Sequence, residues 1–135
     1  MFAVTRHFDS IGKDLVVKKE VSSDKLAKLI SGFASDIKAQ NIVILDMRKA
    51  ANFCDYFVLC SGTSMRHVRS IAAGIEDGLA EHGIGTRFKQ GIREGRWALL
   101  DFSAVVVHIF EAESRDFYGL EYLWKEADKV EWTTE

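Results

Sequence analysis

Apolar positions recur along this chain with two periods, one suited to helices and one to strands. Leu26, Leu29, Ile30, Phe33 and Ile37 fall on a single stripe at helical spacing. A helix is therefore predicted to begin near Asp24, where Ser22 or Ser23 can offer a side-chain oxygen to an orphan amide of the first turn. Asn41 then leads into 42–46, apolar on both faces, the pattern of a strand inside a sheet. A second such run, 56–60, enters Ser61-Gly62-Thr63-Ser64. There glycine permits a tight turn, and Thr63 or Ser64 can cap the following helix. That helix, about 64–82, buries Val68, Ile71, Ala72, Ile75 and Leu79, and Gly83 supplies its C-terminal stop. Further strands are predicted at 86–90, 97–102 and 105–110, and a last helix at 113–124, weakened in the middle by Gly119. Strand, strand, helix, then more strands indicates an α/β or α+β architecture.

Only Ser103 and Ala104 separate the strands 97–102 and 105–110, so these should form a hairpin. With an even connection Phe102 opposes Val105, Leu100 opposes Val107 and Ala98 opposes Ile109, all on one apolar face. The other face then pairs Trp97 with Phe110, Leu99 with His108 and Asp101 with Val106. A face that mixes aromatics, a carboxylate and an imidazole is unlike a core, and it becomes the first candidate for a working surface.

Composition changes the picture little. At 135 residues one domain is expected, able to bury a core without metals or disulfides. Residues 1–21 show no clean period apart from a short apolar run, 15–17, and are taken as an N-terminal extension. The domain proper is taken as 22–124, with 125–135 as an acidic tail. No apolar run is long enough to span a bilayer, and the first residues lack a signal-peptide pattern. Cys54 and Cys60 are too few for a disulfide scaffold and sit in apolar surroundings. A cytoplasmic location follows as the expectation.

Net charge is −2, which argues against nucleic-acid binding by bulk electrostatics, but the charge is uneven. Arg87, Lys89, Arg93 and Arg96 stand against Glu94 alone between 83 and 96. From Glu111 onward eight acids face three bases. An acidic end suits a basic protein partner; it is equally what a solvated helix face and tail would carry.

Several residues are candidates for chemistry. The turn 61–64 at a helix start, with Ser64, Arg66, His67 and Arg69, could contact an anion or RNA through free amides and the helix dipole; it could equally be a capped helix with solvated arginines. His108 lacks a nucleophile placed beside it, and the four histidines are too scattered for a metal site. It is a packing residue or a surface contact rather than a catalyst. Trp97 is either core, as tryptophan usually is, or an interface anchor bordered by Arg93, Glu94 and Asp101. The Gly91–Gly95 connection, with glycine at each end, makes a defined contact loop plausible. No cofactor and no metal is expected.

These segments together resemble the ribosomal silencing factor, or Iojap-like, family. The resemblance rests on Asp55-Tyr56-Phe57-Val58, Ser61-Gly62-Thr63-Ser64 with Arg66-His67-Val68, and Glu94-Gly95-Arg96-Trp97. It continues through Leu100-Asp101, Val105-Val106-Val107-His108-Ile109-Phe110, Phe117-Tyr118-Gly119-Leu120-Glu121 and Leu123-Trp124. It implies a mixed sheet flanked by helices, of nucleotidyltransferase-like topology without the catalytic carboxylates. It also implies a non-enzymatic translation repressor that binds the large ribosomal subunit through ribosomal protein fourteen and sterically blocks joining of the small subunit. On that reading the partner-binding residues are Trp97, His108, Phe110, Glu94, Asp101 and Arg93, with ribosomal RNA a secondary contact and a second copy of the chain a further candidate partner. The chain departs from the family pattern at the hairpin turn, where Ser103-Ala104 replaces a usual Gly-Asp, and in its longer N-terminal extension.

The rivals are a nucleotidyltransferase-like enzyme and an RNA-binding module. The enzyme would need two acids one residue apart, about a dozen residues after the Gly-Ser turn, to hold a divalent ion. The stretch Ile71-Ala72-Ala73-Gly74-Ile75 has none, and Glu76-Asp77 are adjacent within a helix.

Overall fold

Central strands buried on both faces and flanking strands more exposed, with helices to cover one side, make a six-stranded mixed sheet. The structure, a computed structural model, describes residues 6–8, 14–17, 21–114, 119, 125 and 127–132. The chain opens with β1 (Arg6–Phe8) and β2 (Asp14–Val17), an antiparallel pair forming a separate two-stranded sheet. The apolar run at 15–17 is thus a strand, though not one on the edge of the main sheet. Next come α1 (Ser23–Asp36), β3 (Gln40–Asp46), β4 (Tyr56–Gly62) and α2 (Met65–Ala80). They are followed by β5 (Phe88–Gln90), β6 (Trp97–Asp101), β7 (Val105–Glu111) and β8 (Asp128–Val130). The main sheet has the order β5-β6-β7-β4-β3-β8; β4 and β7 run parallel and every other neighbouring pair antiparallel. Residues 112–114 are helical, while most of the helix expected at 113–124 lies outside the described residues. Among the described residues no helix is long and apolar enough to cross a membrane.

Both described helices cover one face of the sheet. Leu26, Ile30 and Ala34 of α1 and Val68, Ile71, Ile75 and Leu79 of α2 pack on Ile44, Val58, Cys60, Ala98, Leu100, Val107 and Ile109. Of the helical stripes seen in the sequence, Leu26, Ile30 and all five positions of α2 are fully buried, while Leu29, Phe33 and Ile37 are partly buried against the same core. Ser22 takes the N-cap position of α1 but makes no side-chain cap bond. Ser64 does cap α2, accepting from the His67 amide at 3.0 Å. The opposite face carries a smaller cluster of Leu45, Met47, Cys54, Phe57, Leu59 and Val106. Cys54 and Cys60 are both buried, and neither is in a disulfide. Burial pushes the Cys54 thiol up to about 12, so it acts as a small hydrophobe.

The hairpin register is the one predicted: Trp97 pairs with Phe110, Leu99 with His108 and Asp101 with Val106, while Ala98 and Leu100 pair with Ile109 and Val107 on the helix side. Beyond β6 the register continues as Phe88 with Asp101, Lys89 with Leu100 and Gln90 with Leu99. Phe88 and Gln90 therefore share the face of Trp97, and Lys89 points to the helix side.

Candidate functional site: the face around Trp97

Four strands, β4 to β7, and one loop build this face. On it the rings of Trp97 and Phe110 stack with centroids 5.3 Å apart, and His108 meets Phe57 edge-on at 4.6 Å. The Trp97 indole N–H donates to His108 Nδ1 at 3.1 Å. That bond makes Nδ1 the acceptor, so the neutral ring carries its proton on Nε2, a buried atom with no partner among the described residues. Burial holds the His108 ring well below the usual histidine range, at about 4.

The layers differ in depth. Trp97 and Leu99 are half-buried, whereas His108 is only 5% exposed and Phe110 is not exposed at all. His108 and Phe110, both among the expected contact residues, lie buried against the indole of Trp97. Sequence could not show this, because strand pairing fixes which face a side chain takes and not how thickly that face is covered. Asp101 is likewise committed internally. Its Oδ2 accepts from Arg87 Nη2 and its Oδ1 from the Ser103 amide, both at 2.7 Å. Ser103 has φ +73°, so the turn keeps the left-handed backbone that glycine would favour, held by the Asp101 carboxylate.

The 91–95 loop carries the exposed part of the site. Gly91 has φ +78°, and a Cβ there would fall 2.1 Å from the Trp97 carbonyl oxygen. Gly95, at φ +75°, passes so close to Met65 that a Cβ would come within 2.7 Å of its carbonyl oxygen. The Gly95 amide donates to the Gly91 carbonyl at 3.0 Å, closing the loop, and Ile92 packs against the core. Arg69 Nη1 donates to the Arg93 carbonyl at 3.0 Å and ties the loop to α2. The side chains of Arg93 and Glu94 are left exposed. A cavity of about 180 Å³, lined by Gln90, Gly91, Trp97 and Leu99, opens beside the indole.

At the helix start 61–64 the hydrogen bonds are those of a capped helix, one of the two alternatives the sequence left open. His67 Nδ1 accepts from the Thr63 amide at 2.8 Å, and its Nε2 reaches the Ile37 carbonyl at 2.7 Å. With the His67 amide on Ser64 Oγ, two amides that would face an anion are occupied by side chains. Ser64 and His67 are therefore structural, fastening α2 to the end of α1. Arg66 and Arg69 remain exposed, as do Arg93 and Arg96, and Arg69 is tied to the loop at the Arg93 carbonyl.

Sequence reasoning missed Phe88, which stands 52% exposed on the Trp97 face, and Phe53, 57% exposed at the rim beside Phe57. The alternation of β5 could have signalled Phe88 had its register across the 91–95 loop been known. Glu76, weighed as a metal ligand, instead accepts from Thr86 at 2.7 Å and pairs with Lys89 at 3.3 Å. Among the described residues there is no cluster of three His, Cys, Asp or Glu side chains that could hold a metal ion.

Comparison with known proteins places this geometry in a family. A curated Bacillus subtilis ribosomal silencing factor is 36% identical over 107 residues, covering 79% of this chain and 91% of the relative. The chloroplastic Iojap protein of Arabidopsis thaliana is 30% identical, spanning 85% of this chain and 48% of that longer protein. A crystal structure from Chromobacterium violaceum superposes with a TM-score of 0.76 at 30% identity, covering 78% of this chain and 88% of that one. One from Bacillus halodurans gives 0.72 at 34% identity, covering 80% and 98%. The family model described as "Ribosomal silencing factor during starvation" matches residues 20–135. With the buried hairpin, the glycine-pinned loop and these matches together, the chain belongs to the ribosomal silencing factor family.

Proposed function

We propose that this protein binds the large ribosomal subunit through ribosomal protein fourteen and thereby blocks joining of the small subunit, repressing translation without catalysis. The observation that carries the reading is the half-buried Trp97, held by His108 and flanked by a small apolar cavity and the exposed Arg93 and Glu94. An aromatic anchor with a pocket at its side and charges at its rim is the arrangement that concentrates binding energy in protein interfaces. Family membership supports an association with the ribosome; the choice of ribosomal protein fourteen is part of the proposal. The mechanism is occupancy: a folded domain seated where an intersubunit contact must form excludes it.

Purified subunits test this directly. The protein should co-sediment with large subunits and slow their association with small ones. Trp97→Ala should weaken binding to ribosomal protein fourteen by roughly 2 kcal/mol, about thirtyfold, and Glu94→Arg should weaken it with the fold intact. Unchanged subunit association at saturating protein would overturn the reading; normal binding by both variants would move the interface elsewhere.

A secondary contact with ribosomal RNA is favoured by one observation. Arg66 and Arg69 on α2 and Arg93 and Arg96 in and beside the loop are all exposed, and Arg69 is tied to the loop at the Arg93 carbonyl.

A further inference from the structure

Tryptophan has one polar side-chain atom, a nitrogen that can only donate. An indole taken into an interface must find an acceptor for that N–H, because a buried donor without a partner is costly. The acceptor can come from the partner or from the anchor's own chain. For Trp97 it comes from the chain: His108 Nδ1 lies 3.1 Å from the indole nitrogen. His108 is buried, and its strand, β7, is paired on both sides, to β6 and to β4. The other rings against the imidazole, Phe57 and Phe110, offer it no competing donor.

Stacking alone would not fix the indole. It lies over Phe110 with planes 28° from parallel, a contact that either face of the ring could make. The torsion that turns an indole about its Cβ–Cγ bond is broad and roughly two-fold. Phe110 therefore sets the depth of the ring and leaves two orientations open. The hydrogen bond to Nδ1 is directional and selects one. In that orientation the ring walls the cavity of about 180 Å³ that it shares with Gln90, Gly91 and Leu99.

We propose that His108 is the positioning residue of the Trp97 anchor. By accepting the indole N–H it fixes the ring's orientation before any partner arrives and leaves only carbon to be recognised. The surface that receives Trp97 is therefore apolar and supplies no acceptor to the indole. Binding is preorganised to that extent, since neither the orientation nor the N–H has to be settled on association. The inference rests on the reading of Trp97 as the anchor for ribosomal protein fourteen.

Two changes remove the bond from opposite ends. His108→Leu deletes the acceptor. Site-specific replacement of Trp97 by its benzothiophene analogue, with sulfur where the N–H stood, deletes the donor alone. Each should weaken binding to isolated ribosomal protein fourteen roughly tenfold, and the two together should weaken it no further than either. His108→Asn, whose side-chain oxygen takes the place of Nδ1, should retain most of the affinity that leucine loses. In the free protein, hydrogen exchange should find the Trp97 indole N–H protected. His108→Leu should remove that protection while the backbone amides of β6 and β7 keep theirs. If the partner supplied the acceptor, deleting the donor would weaken binding as much in the His108→Leu background as in the parent, and such additive losses overturn the proposal. So does parent-like binding by the benzothiophene protein, a change of one atom that spares the fold, or an unprotected indole N–H in the free parent. Failure of the parent itself to bind ribosomal protein fourteen would overturn the functional reading, and with it the partner surface inferred here, even where the exchange result stands.

Discussion

His108 shows how one buried atom shapes a surface. Burial disfavours its charged form, and its Nδ1 already accepts from Trp97, so a second proton would set donor against donor. A base whose folded pKa is about 4 against 6.5 unfolded contributes stability that is fully present above the unfolded value. That contribution falls as pH drops through 6.5 and levels off below 4, because the unfolded chain binds the proton first. Between about pH 7 and about pH 5 the protein should lose about 2 kcal/mol of stability through this residue. Urea unfolding at the two pH values measures the loss, and His108→Phe should remove most of it. The same variant leaves the Trp97 N–H without its acceptor, so a changed tryptophan emission is expected alongside. A pH dependence as steep in the variant as in the parent would show that other groups carry it.

Among elements, the 91–95 loop matters most to the site, since it sets where Trp97 begins. Gly91→Ala adds a Cβ at 2.1 Å from the Trp97 carbonyl in a left-handed backbone. It should cost about 2 kcal/mol or more in thermal or urea unfolding and displace the indole. Gly85→Ala, where the added Cβ meets nothing within 4 Å, should be nearly neutral and serves as the control. The β6–β7 hairpin was legible in the sequence because a two-residue link and a period of two leave one register that buries Ala98, Leu100, Val107 and Ile109 together. The helical stripes were legible for the same reason. The pairing of β5 with β6 was not, since the intervening loop hides the register that turns Phe88 toward Trp97. Nor was the engagement of Asp101, whose carboxylate is claimed by Arg87 from the stretch just ahead of β5, or of His67, whose ring reaches a carbonyl at the end of another helix.

At the scale of the whole molecule, the near-neutral chain sorts its charge by location. The exposed arginines of α2 and of the loop, from two separate stretches of sequence, meet where Arg69 is tied to Arg93. If these arginines touch ribosomal RNA, binding should weaken steeply with salt. Changing Arg66 and Arg96 to glutamine, which spares the Arg69 tie to the loop, should flatten the log–log slope by about 0.7 for each phosphate no longer neutralised. Filter binding over a salt series reads this, and an unchanged slope would remove RNA from the account.

The strand order has a consequence for how the protein is made. β7 lies between β6 and β4 and pairs with both, yet it is translated after either. Before its residues emerge, the nascent chain holds two partial sheets with no shared strand, each showing an open edge. The middle of the sheet is thus its last large piece to arrive, and a chain truncated before Val105 would have to keep two sticky borders apart. Stalled or clipped synthesis products should therefore aggregate rather than accumulate as folded fragments, and the domain should gain protease resistance abruptly once β7 has left the exit tunnel.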